Sequence, residues 1–120
     1  MMKIASKIGF YYKYDALITG ESLSQVASQT INSLKATDHA SKLFVLRPLI
    51  GFDKEDTIKI ANKIGTFETS ILPYADCCSL FTPTNPVINP KLEEVIIEEE
   101  KWHDEELINN SIKNMEVMKF

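Results

Sequence analysis

Ala16-Leu17-Ile18-Thr19-Gly20-Glu21-Ser22 is the stretch that decides the fold class. Three apolar residues stopped by Thr19-Gly20 read as a short buried strand. Glu21 or Ser22 then starts a helix to about residue 34, with Leu23, Val26, Ala27 and Ile31 on one face. A second apolar run, Leu43-Phe44-Val45-Leu46, is closed by Arg47-Pro48 and reads as another buried strand. A helix between two buried strands predicts that they run parallel, which makes the chain α/β.

Working outward, residues 2–8 predict a helix on the spacing of Ile4 and Ile8, and Gly9 is expected to break it. Asp53 is a good N-cap for a helix carrying Ile58, Ile60, Ala61 and Ile64, with Gly65 as its stop. Residues 66–90 hold Pro73, Pro83, Pro86 and Pro90 and read as irregular. Asn89-Pro90 opens a last, long helix expected to run nearly to Phe120. The chain thus divides into residues 1–89 and an acidic helix over 90–120.

The chain has 120 residues, 44% of them hydrophobic and 25% charged, enough for one domain with a modest core. Its net charge of −4 is unevenly spread. Residues 1–92 carry ten basic against eight acidic side chains, and residues 93–120 three against nine. No dense basic stripe is present, so contacts to RNA phosphates are expected to come mostly from elsewhere. No apolar run approaches the ~20 residues needed to span a bilayer, and residues 1–13 do not read as a secretory signal. A cytoplasmic protein is the expectation.

Several residues invite chemistry. A strand that ends in Gly20 and feeds a polar helix start is how open α/β sheets make ligand crevices, and the helix start offers N–H groups to an anion. Glu21, Ser22, Gln25, Ser28 and Gln29 are placed to line such a crevice; a plain strand-turn-helix explains the same residues. Arg47, at the carboxyl end of its strand, either holds a phosphate in that crevice or pairs with a neighbouring acid. Asp76-Cys77-Cys78 lies on the proline-rich segment. The two cysteines are the only ones and are adjacent, so they cannot staple distant segments. A thiolate there is a nucleophile able to carry sulfur; a buried filler is the alternative. Zinc needs spaced ligands, so no metal site is expected. The eight acids between Glu93 and Glu106 read as a solvated helix face.

These motifs have a familiar order. Residues 16–23, Gln25-Val26-Ala27-Ser28-Gln29-Thr30, Leu46-Arg47-Pro48-Leu49-Ile50-Gly51-Phe52-Asp53 and Ile71-Leu72-Pro73-Tyr74-Ala75-Asp76-Cys77-Cys78 strongly resemble the tRNA 4-thiouridine sulfurtransferases, a family of thiamine biosynthesis and tRNA modification. The resemblance covers about residues 2–94. It implies the C-terminal half of a PP-loop (adenine nucleotide alpha hydrolase-like) ATP-pyrophosphatase domain with a parallel sheet.

The implied chemistry is ATP-dependent, with Mg, and replaces the C4 oxygen of a tRNA uridine by persulfide sulfur from a cysteine desulfurase. It implies Cys78, or else Cys77, as the sulfur-transfer residue beside Asp76. It places Gly20, Glu21, Ser22, Gln25, Ser28, Gln29 and Arg47 on the nucleotide or uridine side. The family's Ser-Gly-Gly-x-Asp-Ser phosphate loop and its N-terminal tRNA-binding domains are missing from this sequence. The fragment is therefore expected to be inactive and to bind no ATP alone, to need the N-terminal remainder of the enzyme, and to form a homodimer through its uncovered surface. The competing reading is a non-enzymatic persulfide carrier that uses only the Cys77-Cys78 loop.

Overall fold

A computed structural model of the chain describes residues 1–23, 25, 29–74, 84–85, 87–102 and 104–119. The elements are α1 (Met2–Tyr11), β1 (Ala16–Ile18), α2 (Ile31–His39), β2 (Phe44–Leu46), α3 (Lys54–Lys63), α4 (Phe67–Ser70), α5 (Leu92–Glu100) and α6 (Asp104–Lys113). The two strands pair in parallel, Ala16 with Phe44, Leu17 with Val45 and Ile18 with Leu46. The α/β expectation and the parallel pairing both hold.

Strand alternation divides the sheet into two unlike faces. Leu17 and Val45 point to the side covered by α1, and Val45 is only 8% exposed. Ala16, Ile18, Phe44 and Leu46 point the other way; Ile18 is 74% exposed and Phe44 71%. The described core is thin, with Val45 and Ile108 its buried apolar side chains. Helix α1 also packs on α6, α2 on α5, and α3 on α4. Lys3 Nζ to Glu99 Oε2 (3.0 Å) and Lys7 Nζ to Asn109 Oδ1 (2.9 Å) tie the first helix to the last two.

Gly9 does not break α1. The helix runs on to Tyr11, and Gly9 is buried inside it, where a Cβ would lie 2.4 Å from Leu43 Cδ1 and 3.7 Å from Leu17 Cδ2. Its role is close approach of helix to sheet. The stop comes later: Lys13 takes φ 59°, Lys13 N–H donates to Phe10 O, and Tyr14 N–H donates to Gly9 O. That pair of bonds closes a Schellman end, here with a residue other than glycine in the left-handed position. Gly65, at φ 74°, ends α3 in the same way, through its own N–H to Asn62 O and Thr66 N–H to Ala61 O, as the sequence predicts. Asp53 Oδ1 accepts from Asp56 N–H at 2.8 Å, so the expected cap is present.

Other expectations fail for identifiable reasons. The helix expected over residues 22–34 begins only at Ile31, capped by Thr30 Oγ1 on Ser33 N–H, and extends to His39. The residues before it are held by the loop after β2 instead: Leu23 N–H donates to Ile50 O, and Ser22 Oγ and Gln25 Nε2 both donate to Phe52 O. Tertiary hydrogen bonds have overridden the local helical pattern. Among its described residues, the segment expected to be irregular contains a helical turn, α4. The C-terminal acidic stretch is two helices rather than one, starting at Leu92 instead of Pro90 and interrupted after Glu100.

A buried seat fixes α1 against the turn before β2. Ser6 is nearly inaccessible and accepts from Lys42 N–H at 3.2 Å, while its own hydroxyl lies 3.0 Å from Ser41 Oγ. Ser41 Oγ accepts from Leu43 N–H and donates to Leu43 O. Every polar group in this contact has a partner, as burial demands.

Candidate functional site

The carboxyl ends of β1 and β2 lie side by side, and Thr19 N–H extends the ladder by donating to Leu46 O at 3.0 Å. Both strands give way here to irregular chain, from Thr19 and from Arg47. Leu23 N–H to Ile50 O and Ser22 and Gln25 to Phe52 O hold the two together. This is the position at which open parallel sheets place ligands.

Arg47 lies on the same face as Val45 and reaches towards α2. Its Nε–H donates to Glu21 Oε2 at 2.9 Å and its Nη1 to Asp38 Oδ1 at 3.0 Å. Glu21 also accepts from Thr19 Oγ1 at 2.9 Å through Oε2 and from Thr37 Oγ1 at 3.0 Å through Oε1. Arg47 and Glu21 side chains are 15% and 22% exposed, so the pair is poorly screened. Burial lowers the Arg47 pKa, but hydrogen bonds to Asp38 and Glu21 and their charges raise it more, and the net direction is upward. Of the two readings of Arg47, the geometry matches the ion pair.

Gln29 stands just before the cap of α2. Its Oε1 is shut off from solvent and has no hydrogen-bond partner among the described residues. An orphaned buried acceptor costs about 1–3 kcal/mol, so it marks a place where a donor is wanted. Gly20, at the mouth of the same loop, has open space where a Cβ would project. Thr30 Oγ1 lies 3.3 Å from Ile88 O, which brings the segment after the cysteine loop against the start of α2.

Of the residues singled out from sequence, the structure brings Gly20, Glu21, Ser22, Gln25 and Arg47 to one end of the sheet, while Gln29 lies ahead of α2. Ser28, Asp76, Cys77 and Cys78 lie outside the described residues. Sequence reasoning missed Thr19, Thr37 and Asp38, the partners of the Arg47–Glu21 pair. Two of them sit on a helix whose start was misplaced, so their proximity to Arg47 left no trace in the pattern. A separate cavity of about 530 Å³ between α1, the 39–42 turn and α6 shares no residue with this site. Among the described residues no group of three or more His, Cys, Asp or Glu gathers as metal ligands, and no helix is long and apolar enough to cross a membrane.

Comparison with known proteins gives this end of the sheet a context. The chain is 52% identical over 119 residues to a probable tRNA sulfurtransferase of Finegoldia magna, covering 99% of this chain and 30% of that protein. It is 52% identical to one of Acetivibrio thermocellus and 48% identical to one of Staphylococcus epidermidis, each over 98% of this chain. It spans about 30% of the length of these relatives. Among solved structures it resembles a 4-thiouridine synthetase crystallised with RNA and bound ATP, with a TM-score of 0.80 and 37% identity, covering 91% of this chain and 28% of that one. The expected fold class is thereby shown. A family model described as thiamine biosynthesis protein (ThiI) matches residues 1–103, and the chain belongs to that family.

Proposed function

We propose that this chain supplies part of the catalytic domain of an ATP-dependent tRNA-uridine sulfurtransferase, of the PP-loop type, working in the cytoplasm. The observation that carries the reading is the identity of about half to tRNA sulfurtransferases along nearly the whole chain, in a chain whose Gln29 Oε1 is buried and without a hydrogen-bond partner among the described residues. An amino or imino N–H of a nucleobase is the donor such an oxygen would accept. The residues described here fit the base side of a nucleotide. They supply no phosphate cradle, because Arg47 is already engaged with Glu21 and Asp38.

The Arg47–Glu21 pair then acts by position. It holds the end of β2 to the loop after β1, next to Gly20. Bound ATP would convert the uridine C4 oxygen into a leaving group. The Cys78 thiolate, or that of Cys77, receives a sulfur atom from a cysteine desulfurase as a persulfide. The outer sulfur attacks C4 as AMP departs. A second thiol then attacks the cysteine sulfur, breaking the S–S bond, forming a disulfide and leaving the sulfur on the uridine. The same persulfide would serve thiazole formation in thiamine synthesis. The chain requires the rest of the enzyme for tRNA and phosphate contacts.

The test combines this chain with the remaining part of the Finegoldia magna protein, tRNA, ATP, Mg, a cysteine desulfurase and cysteine, and measures 4-thiouridine. Thiolation that depends on this chain is expected. No thiolation, or undiminished thiolation with a Cys77→Ser, Cys78→Ser double variant, would count against the proposal. A gain of one sulfur on the chain without any thiolation would instead favour the carrier reading.

A further inference from the structure

We propose that the cavity between α1, the 39–42 turn and α6 binds a small flat anion, an aromatic or heteroaromatic ring carrying one phosphate or carboxylate. Lys7 and Lys42 would hold the anionic group, and Phe10 and Ile108 would pack on the ring. The cavity lies at the amino end of the two strands, since the turn feeds β2, whereas Gly20, Glu21 and Arg47 stand at the carboxyl end. The reaction proposed above uses none of its residues.

Its volume of about 530 Å³ falls within the roughly 300–1,000 Å³ usual for small-molecule sites. Its walls are already tied together. Ser6 holds α1 to the turn through Ser41 Oγ and Lys42 N–H. Lys7 Nζ on Asn109 Oδ1 holds α1 to α6, and Lys3 on Glu99 holds it to α5.

The charges facing the cavity do not cancel. Lys3, Lys7 and Lys42 line it with Glu99, Glu105 and His39. Lys3 is paired with Glu99 at 3.0 Å. Lys7 donates to a neutral amide oxygen, which leaves its charge uncompensated and two of its three N–H groups for other acceptors. Lys42 contacts Ser6 through its backbone, and among the described residues its ammonium has no acidic partner. Glu105 offsets one of these two cations, so a net positive charge remains with His39 counted as neutral. A cleft of one sign with low-dielectric walls concentrates ligands of the other sign.

The same cavity has an apolar lining. Ile108 is 8% exposed, and Ala40 contributes its methyl group. Phe10 follows Lys3 and Lys7 along one face of α1, at helical spacings of four and three. It is 54% exposed although it borders this cavity. A bare inorganic anion would leave Phe10 and Ile108 uncovered, and a neutral ring would leave Lys7 and Lys42 without a counter-charge. A ligand flat at one end and anionic at the other meets both demands.

The experiment titrates phenyl phosphate and, separately, benzoate into the isotope-labelled chain and follows amide NMR shifts. Saturable shifts at Ser6, Lys7, Ala40 and Ile108 are expected, with a Kd of about 1 mM or tighter for at least one of the two. The tighter of the two identifies the anionic group. Inorganic phosphate and phenol, each carrying half of the recognised features, should bind about tenfold more weakly or less. Lys42→Gln should weaken binding about fivefold or more, while Lys42→Arg, which keeps the charge, should retain it. The melting temperature of Lys42→Gln should match that of the parent, because Lys42 holds Ser6 through its backbone. Phe10→Ser should weaken phenyl phosphate more than inorganic phosphate. Lys59→Gln, on exposed α3, should bind like the parent. No saturable shift, shifts confined to Gly20, Glu21 and Arg47, or undiminished affinity in Lys42→Gln would overturn the proposal.

Discussion

Arg47 Nε–H and Glu21 Oε2 meet at 2.9 Å, joining the residue after β2 to the loop after β1. Two charged residues that sequence pattern aims at a ligand are each other's partners. Their worth can be measured. Hydrogen bonds to charged groups contribute about 1.5–3 kcal/mol, and partial exposure discounts that figure. Arg47→Met and Glu21→Gln should each lower stability by roughly 1–2 kcal/mol. A double-mutant cycle followed by urea unfolding should show the two losses to be non-additive. Additive losses would mean the pair does not act as a unit.

Arg47 also sets an alkaline behaviour. A group whose folded pKa is raised contributes stability fully present below its unfolded value and lost as pH rises through the folded one. For Arg47 the shift is upward from an already high guanidinium value, so its contribution persists through ordinary alkaline conditions. A lysine in its place would titrate from an unfolded value of about 10.4. The difference in melting temperature between the parent and Arg47→Lys should therefore stay constant below about pH 10 and widen as pH rises above it. A constant difference above that pH would contradict the ion-pair assignment.

Gly9→Ala tests the contact between α1 and the sheet. Alanine gains about 1 kcal/mol of helix propensity, which alone would stabilise. The added Cβ would lie 2.4 Å from Leu43 Cδ1, and overpacking of this kind costs about 1–3 kcal/mol. The expected sign is destabilising, with at least partial recovery in Gly9→Ala, Leu43→Val. A stabilised single variant would show that Leu43 yields freely.

Gln29 predicts opposite effects on stability and function. Replacing an unsatisfied buried acceptor by an apolar side chain removes a penalty of about 1–3 kcal/mol. Gln29→Leu should leave the melting temperature of the chain unchanged or raise it. In the reconstituted enzyme it should cut 4-thiouridine formation at least tenfold, mainly through weaker nucleotide or uridine binding. A destabilised but active variant would reverse the assignment.

The sequence showed the two strands, their parallel sense, the Asp53 cap and the Gly65 stop, because each depends on residues adjacent in the chain. It misread Gly9, whose reason for being glycine is Leu43, thirty-four residues on. It misread the start of α2, because the Ser22 and Gln25 donors are taken by Phe52 O in a loop the local pattern does not see. The site was legible in part. Gly20, Glu21, Ser22, Gln25 and Arg47 do share one end of the sheet, yet the pairing of Glu21 with Arg47 is set by tertiary geometry. The acidic C-terminal stretch kept helical spacing across its interruption, so periodicity alone could not reveal two helices.

The pairing of α1 with α6 has a temporal side. Lys7 and Asn109 touch across 102 residues of chain. During synthesis α1 waits for α6, an interval of roughly 5–20 s at usual elongation rates. Through that time Ile4, Ile8 and the Ser6 seat have only part of their final surroundings. Such long-range closure slows folding more than it weakens the folded state. Until α6 emerges, α1 is therefore exposed to chaperones and proteases.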